Sequence, residues 1–441
     1  MNTEYQNALD YLYSFVDYSL KHASELAKAE FNLDRMRQLM SLLGDPQNDY
    51  PIIHIAGSKG KGSTAAFTAS ALRAADYKVG LYTSPHLQEF TERMQINGVP
   101  IPQEAFAALV EEIKPFVEQV PYITTFELAT ALGFLYFSRQ QIDVAVVEVG
   151  LGGRLDATNI VTPLVSVITA ISKEHTAVLG DTLKQIAGEK AGIVKDDIPF
   201  VASPQKEEVV SVFDLRAEEM DAPFTLVGRD VHYKIKKRTI DGQIFDVWFE
   251  PRGYEKAMKV RLSIPLLGDH QVENAVTAYA ALTIARQRGL VFSAPHIKQG
   301  FIETVWPARF EIFQEKPLVI LDSAHNPSSA HKLLQTLDTY FPKESVVMIF
   351  GAGEDKNIAK ILKILAPRID TVILTKADHP RALSAEELRP HADQAGLKSE
   401  GIEPVEAAVA RALEIAGDEK IILAAGSIFS TAAVRAVLKN K

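Results

Sequence analysis

The sequence predicts an α/β protein built from two doubly wound domains, each a largely parallel sheet covered by helices. Short apolar runs rich in β-branched residues alternate with segments of helical period over most of the 441 residues. These runs end in glycine-rich or polar loops, which is typical of the carboxyl edge of a ligand-binding parallel sheet. A break near Thr304 to Pro307 predicts one domain over residues 1–304 and a second over residues 305–441.

The composition excludes several classes of protein. A formal net charge of −9 argues against a broad nucleic-acid surface, which requires an excess of Lys and Arg. No cysteine is present, so disulfides, thiolate metal sites and cysteine nucleophiles are excluded. The N-terminus lacks the apolar core of a signal peptide, and no apolar stretch is long enough to span a bilayer. We therefore expect a cytoplasmic protein with neither a nucleic-acid nor a membrane partner.

The first predicted strand leads into a loop rich in glycine and lysine. Ile52–Ala56 is apolar and β-branched, and Gly57–Gly62 precedes a segment of helical composition. At such a junction, backbone N–H groups and the helix dipole attract a phosphate, as in the P-loop of nucleotide-binding proteins. Lys61 adds a charge, and Ser63 or Thr64 adds a hydroxyl near a magnesium ion. The strict Walker spacing is absent because a glycine follows the lysine, so a turn without a ligand is the alternative.

The segments around this loop are predicted to support it. Tyr5–Leu43 carries apolar residues at helical spacing, which predicts two helices packed beside the phosphate loop. The predicted strand Val79–Tyr82 ends in a polar loop that contains Ser84, His86 and Arg93. Because loops at this edge of a parallel sheet face the ligand, we expect these three side chains to face a nucleotide. A plain turn is the alternative.

Two helices and a buried strand follow. Gln103–Gln119 and Thr125–Gln141 have helical spacing, and Thr124–Glu127 has the composition of a capping box. Asp143–Gly150 predicts a buried strand with Glu148 near its end, where phosphate-loop enzymes place a carboxylate that orients magnesium. A buried acid without a partner is costly, which favours a metal role for Glu148. We expect the following loop, up to Asn159, to be polar and flexible.

In the last part of the first domain, the sequence pattern changes from alternating strands and helices to short runs of alternating polarity. The predicted strand Val165–Ala170 precedes His175, a candidate metal ligand for which a structural hydrogen bond is the more common role. A helix ends at Ile186–Gly192. Short alternating runs over Phe224–Leu266 predict hairpins of a small antiparallel sheet. Leu267–Asn274 then caps a helix that reaches Gly289.

Strands and helices alternate again in the second domain. The predicted strands are Leu318–Leu321, Val346–Phe350, Thr371–Leu374 and Ile421–Ala424. Polar groups follow three of them, at Asp322–Pro327, Gly351–Lys356 and Ala425–Ser427. This pattern predicts a second doubly wound sheet with a ligand at its carboxyl edge.

Several of these segments together resemble the folylpolyglutamate synthase family, often bifunctional with dihydrofolate synthase, of the Mur ligase superfamily. The similarity spans nearly the whole chain in matching order, at His54–Ser63, Thr83–His86, Glu148–Asn159, Glu189–Gly192, Asp322–Pro327 and Ala425–Ser427. The family's phosphate loop usually has the sequence Gly-Thr-Asn-Gly-Lys-Gly-Ser. Ser58 and Lys59 replace its Thr-Asn pair here, which adds a charge.

The resemblance implies an ATP-dependent ligase. Such enzymes transfer the γ-phosphate of ATP to a carboxylate of reduced folate or dihydropteroate, and the amine of L-glutamate then attacks the acyl phosphate. The implied architecture is an N-terminal P-loop ATPase-like domain that binds ATP and a C-terminal Rossmann-like glutamate-ligase domain. Nothing in the sequence requires more than a monomer.

The resemblance also implies the site residues by their matching positions. The implied ATP contacts are Gly60, Lys61, Gly62, Ser63, Asn274, Arg309 and Asp322. One magnesium is implied at Ser84 and Glu148, and a second at His175. Catalytic roles are implied for Lys61, Lys190 and His325, with Lys190 as a carbamylated lysine. The segments implied to border the folate are Thr124, Thr125, Phe126 and Glu127 with Leu155, Asp156 and Ala157.

Two alternatives to this function stay open. One is another Mur-type ATP-dependent amino-acid ligase; those that build peptidoglycan precursors carry an extra N-terminal domain, for which the 56 residues before Gly57 leave no room. The other is a P-loop nucleotide switch without ligase chemistry. A switch would not need a second domain with Arg309, Asp322 and His325.

Overall fold

The computed structural model describes residues 3–17, 31–251 and 257–440. These residues form two compact units. The first consists of the described residues within Met1–Lys237, Ile244–Ile264 and Gln271–Thr304. The second consists of Arg238–Gln243, Pro265–His270 and the described residues of Val305–Lys441.

An eight-stranded sheet forms the centre of the first unit. Its strands are β1 (Ile52–Ala56), β2 (Val79–Tyr82), β3 (Met94–Ile96), β4 (Val99–Pro100), β5 (Val144–Glu148), β6 (Val165–Ile168), β7 (Phe200–Ala202) and β8 (Phe224–Leu226). Their order is β4-β3-β2-β5-β1-β6-β7-β8. The neighbouring strands in the series β2-β5-β1-β6-β7-β8 pair in parallel. At the other end of the sheet, β3 pairs antiparallel with both β2 and β4. Because Ile55 is in register with Glu148, the phosphate loop leaves the sheet beside that carboxylate.

Helices cover both faces of this sheet. Up to residue 302 they are α1 (Thr3–Tyr13), α2 (Asp34–Leu42), α3 (Lys61–Arg73), α4 (Gln103–Val117), α5 (Thr125–Arg139), α6 (Thr176–Leu179), α7 (Leu183–Ala191), α8 (Glu207–Glu219), α9 (Asp269–Gln287) and α10 (Ala294–Ile302). Every residue of α3 from Ser63 to Leu72 is buried. Small Ala, Ser and Thr side chains allow this burial, because they let the sheet and α10 approach the helix closely.

The N-terminal helices pack at a different place from the one we predicted. The apolar faces of α1 and α2 contact α4 and α5 in one core cluster, which includes Leu12, Met36, Phe106 and Leu132. We expected them beside the phosphate loop. Residues 18–30 of the predicted helical segment lie outside the described residues.

A small three-stranded sheet has the order β11-β10-β9. Its strands are β9 (Val231–Thr239), β10 (Gly242–Phe249) and β11 (Val260–Ile264). Only two residues join β9 to β10, so these neighbours form an antiparallel hairpin as predicted. The hairpin prediction was wrong for Phe224–Leu226, because β8 pairs in parallel with β7 at the edge of the main sheet.

The second unit is a six-stranded sheet with helices on both faces. Its strands are β12 (Glu311–Glu315), β13 (Leu318–Leu321), β14 (Val346–Phe350), β15 (Ile369–Leu374), β16 (Ser399–Gly401) and β17 (Ile421–Ala425), in the order β12-β13-β17-β14-β15-β16. Only β12 pairs antiparallel. The helices are α11 (Pro327–Tyr340), α12 (Ile358–Leu365), α13 (Ala385–Gln394), α14 (Val405–Ala416) and α15 (Ile428–Lys439).

Alternation along β14 shows that both faces of this sheet are buried. Met348 packs in the core cluster with Leu333 and Leu362, whereas Val347 packs in the opposite cluster with Val409. A strand buried on both faces is the signature of a doubly wound α/β sheet. The predicted fold class is confirmed.

None of the helices in the described ranges is both long and apolar enough to cross a membrane.

Candidate functional site

The loop after β1 places an uncapped helix N-terminus at the carboxyl edge of the main sheet. Gly60 precedes α3 with a φ of 90°, which glycine adopts without strain. A Cβ atom on Gly60 would lie 2.2 Å from Oδ1 of Asn274, so the two predicted residues are in close contact. No described side chain caps the helix, which leaves the first-turn N–H groups of Lys61, Gly62 and Ser63 for an anionic ligand.

Lysines surround one glutamate beside this loop. Nζ of Lys190 donates to the Gly57 carbonyl at 2.9 Å and to Oε1 of Glu174 at 3.1 Å. Nζ of Lys59 lies 3.1 Å from Oε2 of the same carboxylate. Burial lowers the pKa of Lys190 to about 8, with Glu174 opposing the shift and the charges of Lys61 and Lys59 adding to it. Burial raises the pKa of Glu174, but the three lysines outweigh it and hold that pKa well below its usual value.

The sequence did not lead us to Glu174, although it precedes the predicted metal ligand His175. His175 is the N-cap of the short helix α6 and has a left-handed conformation, with a φ of 47°. The available signal was the polar segment after β6, in which His175 was a candidate metal ligand although a structural hydrogen bond is the more common role of a lone histidine. The Glu174 carboxylate becomes part of the site because Lys59 and Lys190, which are distant in the sequence, contact it in the folded chain.

Glu148 lies at the end of β5 and meets two other predicted site residues. Its Oε1 is 3.8 Å from Nζ of Lys61, and its Oε2 accepts a hydrogen bond from the backbone N of Ser84 at 3.4 Å. A carboxylate and a hydroxyl are hard oxygen donors that fit magnesium, whose remaining ligands come from phosphates and water. The described residues contain no group of three or more His, Asp or Glu side chains able to hold a metal unaided.

The loop after β2 also holds a histidine–arginine pair. Nε of Arg93 donates to Nδ1 of His86 at 3.0 Å, and the guanidinium carbon lies 4.7 Å from the centroid of the Phe90 ring. The backbone N of Thr83 donates to the Arg93 carbonyl at 3.1 Å, which places Arg93 beside Ser84. Burial, assisted by the charge of Arg93, lowers the pKa of His86 to about 3. The imidazole is therefore neutral.

The predicted folate segment at the start of α5 is largely occupied by structural contacts. Thr124 and Glu127 form a capping box, with Oε2 of Glu127 accepting from the Thr124 backbone N at 2.8 Å. Oε1 of Glu127 also lies 3.1 Å from Nε of Arg35. Oγ1 of Thr125 donates to the Leu12 carbonyl at 3.0 Å. Phe126 differs from these three, because its ring packs against Gly150 in the loop after β5.

The loop after β5 is packed, whereas we expected it to be flexible. The Asp156 carboxylate accepts hydrogen bonds from Leu151 N at 2.8 Å, Thr158 N at 3.1 Å and Thr158 Oγ1 at 2.5 Å. Burial raises the pKa of Asp156 against these bonds. Ala157 is buried and Leu155 is half-buried. Asp156 therefore shapes the segment that Leu155 and Ala157 belong to.

In the second unit, Asp322 follows β13 and meets the predicted Arg309. The carboxylate oxygens of Asp322 accept hydrogen bonds from the backbone N of Phe310 at 2.9 Å and from the backbone N of Ala324 at 2.8 Å. Loss of hydration raises the pKa of Asp322 to about 6, against the opposing charge of Arg309. Ala308 and Phe310 flank Arg309 with φ values of 57° and 49°. Such strained backbone is concentrated at functional sites.

His325 lies three residues beyond Asp322 in the same loop. Its Nδ1 is 2.9 Å from the Ser323 carbonyl, which can only accept, so Nδ1 carries the proton. In the neutral ring, Nε2 therefore holds the lone pair. This tautomer makes the side chain a potential proton acceptor.

Comparison with known proteins identifies the family. The Mur ligase middle domain matches residues 55–282, and the Mur ligase glutamate ligase domain matches residues 308–428. The dihydrofolate synthase/folylpolyglutamate synthase of Bacillus subtilis is 35% identical over the whole of both chains. The folylpolyglutamate synthase structure from Thermotoga maritima matches with a TM-score of 0.85 and 33% identity, covering 100% of this chain and 98% of that one. The Escherichia coli FolC structure in complex with DHPP and ADP matches with a TM-score of 0.86 and 31% identity, covering 99% and 98%. The chain therefore belongs to the Mur ligase family, in the group of folylpolyglutamate and dihydrofolate synthases.

Proposed function

We propose that this chain is an ATP-dependent ligase that joins L-glutamate to the γ-carboxyl group of a reduced folate, and that it also accepts dihydropteroate. The observation that carries the proposal is the uncapped start of α3 at the edge of a parallel sheet, where the side chain of Lys61, the first residue of the helix, lies beside the Glu148 carboxylate. Relatives that match the chain along its full length are named folylpolyglutamate and dihydrofolate synthases. We also propose that residues 1–304 form the ATP-binding domain, that residues 305–441 form the glutamate-ligase domain, and that the enzyme acts as a cytoplasmic monomer.

The reaction proceeds in two displacement steps. A carboxylate oxygen of the acceptor attacks the γ-phosphorus of ATP, and the bond to the bridging oxygen of ADP breaks. The amine nitrogen of glutamate then attacks the carbonyl carbon of the acyl phosphate, and inorganic phosphate leaves with the carboxylate oxygen. The amine gives up a proton as the amide forms. Positioning and neutralisation of phosphate charge supply most of the catalysis in such transfers.

The phosphate loop would hold the nucleotide. We assign phosphate binding to the backbone of Gly60, Gly62 and Ser63, and we assign a catalytic role to the Lys61 charge during transfer. Asn274 is in close contact with Gly60. Its side chain would hold the phosphate loop in place and would also contact ATP. From the second unit, we assign ATP contacts to Arg309 and Asp322. His325 would accept the proton of the incoming amine through Nε2.

Magnesium would be held by the Ser84 hydroxyl and the Glu148 carboxylate, two oxygen donors of the kind it prefers; the hydrogen bond from the Ser84 backbone N keeps the two residues close together. When bound, it neutralises phosphate charge and polarises the phosphorus. A second magnesium at His175 is part of the same proposal.

Lys190 would act as a carbamate. A lysine with a pKa near 8 has more neutral amine at physiological pH than an ordinary lysine, and carbon dioxide adds only to the neutral amine. Its ion pair with Glu174 opposes this addition, because the pair stabilises the ammonium form. Once the carbamate forms, Lys59 remains as the cation for Glu174.

The folate would lie along the start of α5 and the loop after β5. We assign direct contact to Phe126, Leu155 and Ala157. Thr124, Thr125, Glu127 and Asp156 would border the folate mainly by holding these segments in place.

Release of phosphate tests the function. We expect steady release from ATP only when both a folate acceptor and L-glutamate are present, with one amide formed per phosphate. Release that needs neither would favour the nucleotide switch. Release that needs a different amino acid or acceptor would favour another Mur-type ligase.

A further inference from the structure

Arg93 carries a charge that no described carboxylate neutralises. Its Nε donates to His86, whose Nδ1 acts as an acceptor and therefore carries no proton. Across residues 3–17, 31–251 and 257–440, its Nη groups donate to no other side chain or carbonyl. The neighbouring Glu92 carboxylate is occupied by the backbone N–H groups of Leu87, Gln88 and Glu89. A half-buried guanidinium whose Nη donors have no acceptor in the described chain is suited to an anion, which would complete this arrangement.

The position of Arg93 limits which anion this is. On one side its backbone pairs with Thr83, which immediately precedes Ser84 and so the proposed magnesium site. On the other side, the Phe90 ring beneath the guanidinium meets the edge of Tyr13 at 6.1 Å between ring centroids. Leu12, the residue before Tyr13, accepts a hydrogen bond from Thr125 through its carbonyl, so a chain of contacts through Phe90 and Tyr13 links Arg93 to the start of α5. ATP phosphates already have Lys61 and the phosphate loop, on the other flank of Glu148.

We propose, building on the ligase function above, that Arg93 binds the carboxylate of the acceptor that does not react. An acceptor that already ends in glutamate has a γ-carboxylate that is phosphorylated and an α-carboxylate only a few bonds away. The Nη groups of Arg93 offer a planar fork that matches a carboxylate, while His86 and Phe90 fix the plane of the guanidinium. Dihydropteroate has no such second carboxylate. Arg93 therefore assists glutamate addition to a folate but makes no such contact when dihydropteroate is the acceptor.

The test compares kcat/KM for two acceptors, a folate with a free terminal α-carboxylate and the same folate as its α-carboxamide. We expect the wild type to prefer the carboxylate by ~10-fold to 100-fold, as for loss of a charged hydrogen-bonded pair. Arg93→Gln should reduce this preference to less than about threefold. Arg73→Gln is the matched control, because Arg73 is the last residue of α3, at the end away from the phosphate loop, and pairs with Glu303 at 3.8 Å. It should keep the wild-type preference.

Several outcomes would overturn the assignment. An equal loss on both acceptors, or a wild-type preference in Arg93→Gln, would reduce Arg93 to a structural role. A raised KM for ATP with an unchanged acceptor preference would assign it to phosphate. If Arg93→Gln does not fold, Arg93→Lys should fold and show an intermediate preference for the carboxylate acceptor. An active wild type that uses the α-carboxylate and α-carboxamide acceptors equally well would contradict the proposal without any variant. A wild type that is inactive with both acceptors would instead contradict the ligase function and the Arg93 role with it.

Discussion

At the scale of single residues, Lys190 is subject to two opposing influences. Burial and neighbouring lysines favour its neutral amine, whereas Glu174 favours its ammonium form. Because the pKa is lowered to about 8 from 10.5, the neutral fraction rises steeply as pH rises through about 8. An ordinary lysine would remain almost wholly protonated over the same range.

We therefore predict that carbamylation of Lys190 increases as pH rises from about 7 to about 9 at fixed dissolved carbon dioxide. Carbon-13 NMR of the protein with labelled bicarbonate should show a carbamate resonance that grows over this range. Lys190→Ala should lack it, and Lys184→Ala, which removes an exposed lysine of the same helix, should keep it. A resonance that persists in Lys190→Ala, or none at any pH, would contradict the carbamate.

Residue types and spacing predicted the glycine–lysine loop after β1, the place of Glu148 at the end of β5 and the place of Asp322 after β13, because each stands at a fixed offset from a recognisable strand. Glu174 was missed, since its importance arises from Lys59 and Lys190, which approach it only in the folded chain. The capping box at Thr124–Glu127 was visible in the sequence, but its ion pair with Arg35 was not.

At the scale of elements, α10 crosses α3 at a glycine. A Cβ atom on Gly300 would lie 2.4 Å from the Cα of Ala71, a contact that the backbone must relieve by moving. Gly300→Ala should therefore destabilise the first unit by about 1–3 kcal/mol, as for overpacking of a core. Gly188→Ala in α7 is the control, because a Cβ atom on Gly188 would have no neighbouring atom within 4 Å.

We expect calorimetry to give a lower melting temperature for Gly300→Ala. Gly188→Ala should be unchanged or more stable by up to about 1 kcal/mol, because alanine favours a helix over glycine. Equal melting temperatures for the two variants would show that α3 and α10 can separate without cost.

Long apolar strands were predictable because burial on both faces gives a continuous β-branched run. The short strands were not. β8 has three residues, too few to reveal parallel pairing, and β16 (Ser399–Gly401) has no apolar residue. β12 (Glu311–Glu315) pairs antiparallel with β13, a pairing that the alternating pattern of the second domain did not predict.

At the scale of the whole molecule, each unit places polar groups at the carboxyl ends of its parallel strands. The first presents Lys61 and Glu148, and the second presents Asp322 and His325. The order of these segments along the chain was enough to predict the family and its chemistry. The lysine–glutamate cluster required the folded structure, because it depends on contacts between separate elements. The histidine–arginine pair lies within one loop that the sequence singled out, but the hydrogen bond between the two side chains appears only in the structure.

The central claim is that an acceptor carboxylate is phosphorylated before glutamate attacks it. The most direct measurement uses an acceptor whose terminal carboxylate carries oxygen-18, with ATP and L-glutamate. The account predicts that the released inorganic phosphate contains one labelled oxygen for every amide formed, because that oxygen leaves with the phosphate. Unlabelled phosphate, or label recovered in AMP, would contradict it.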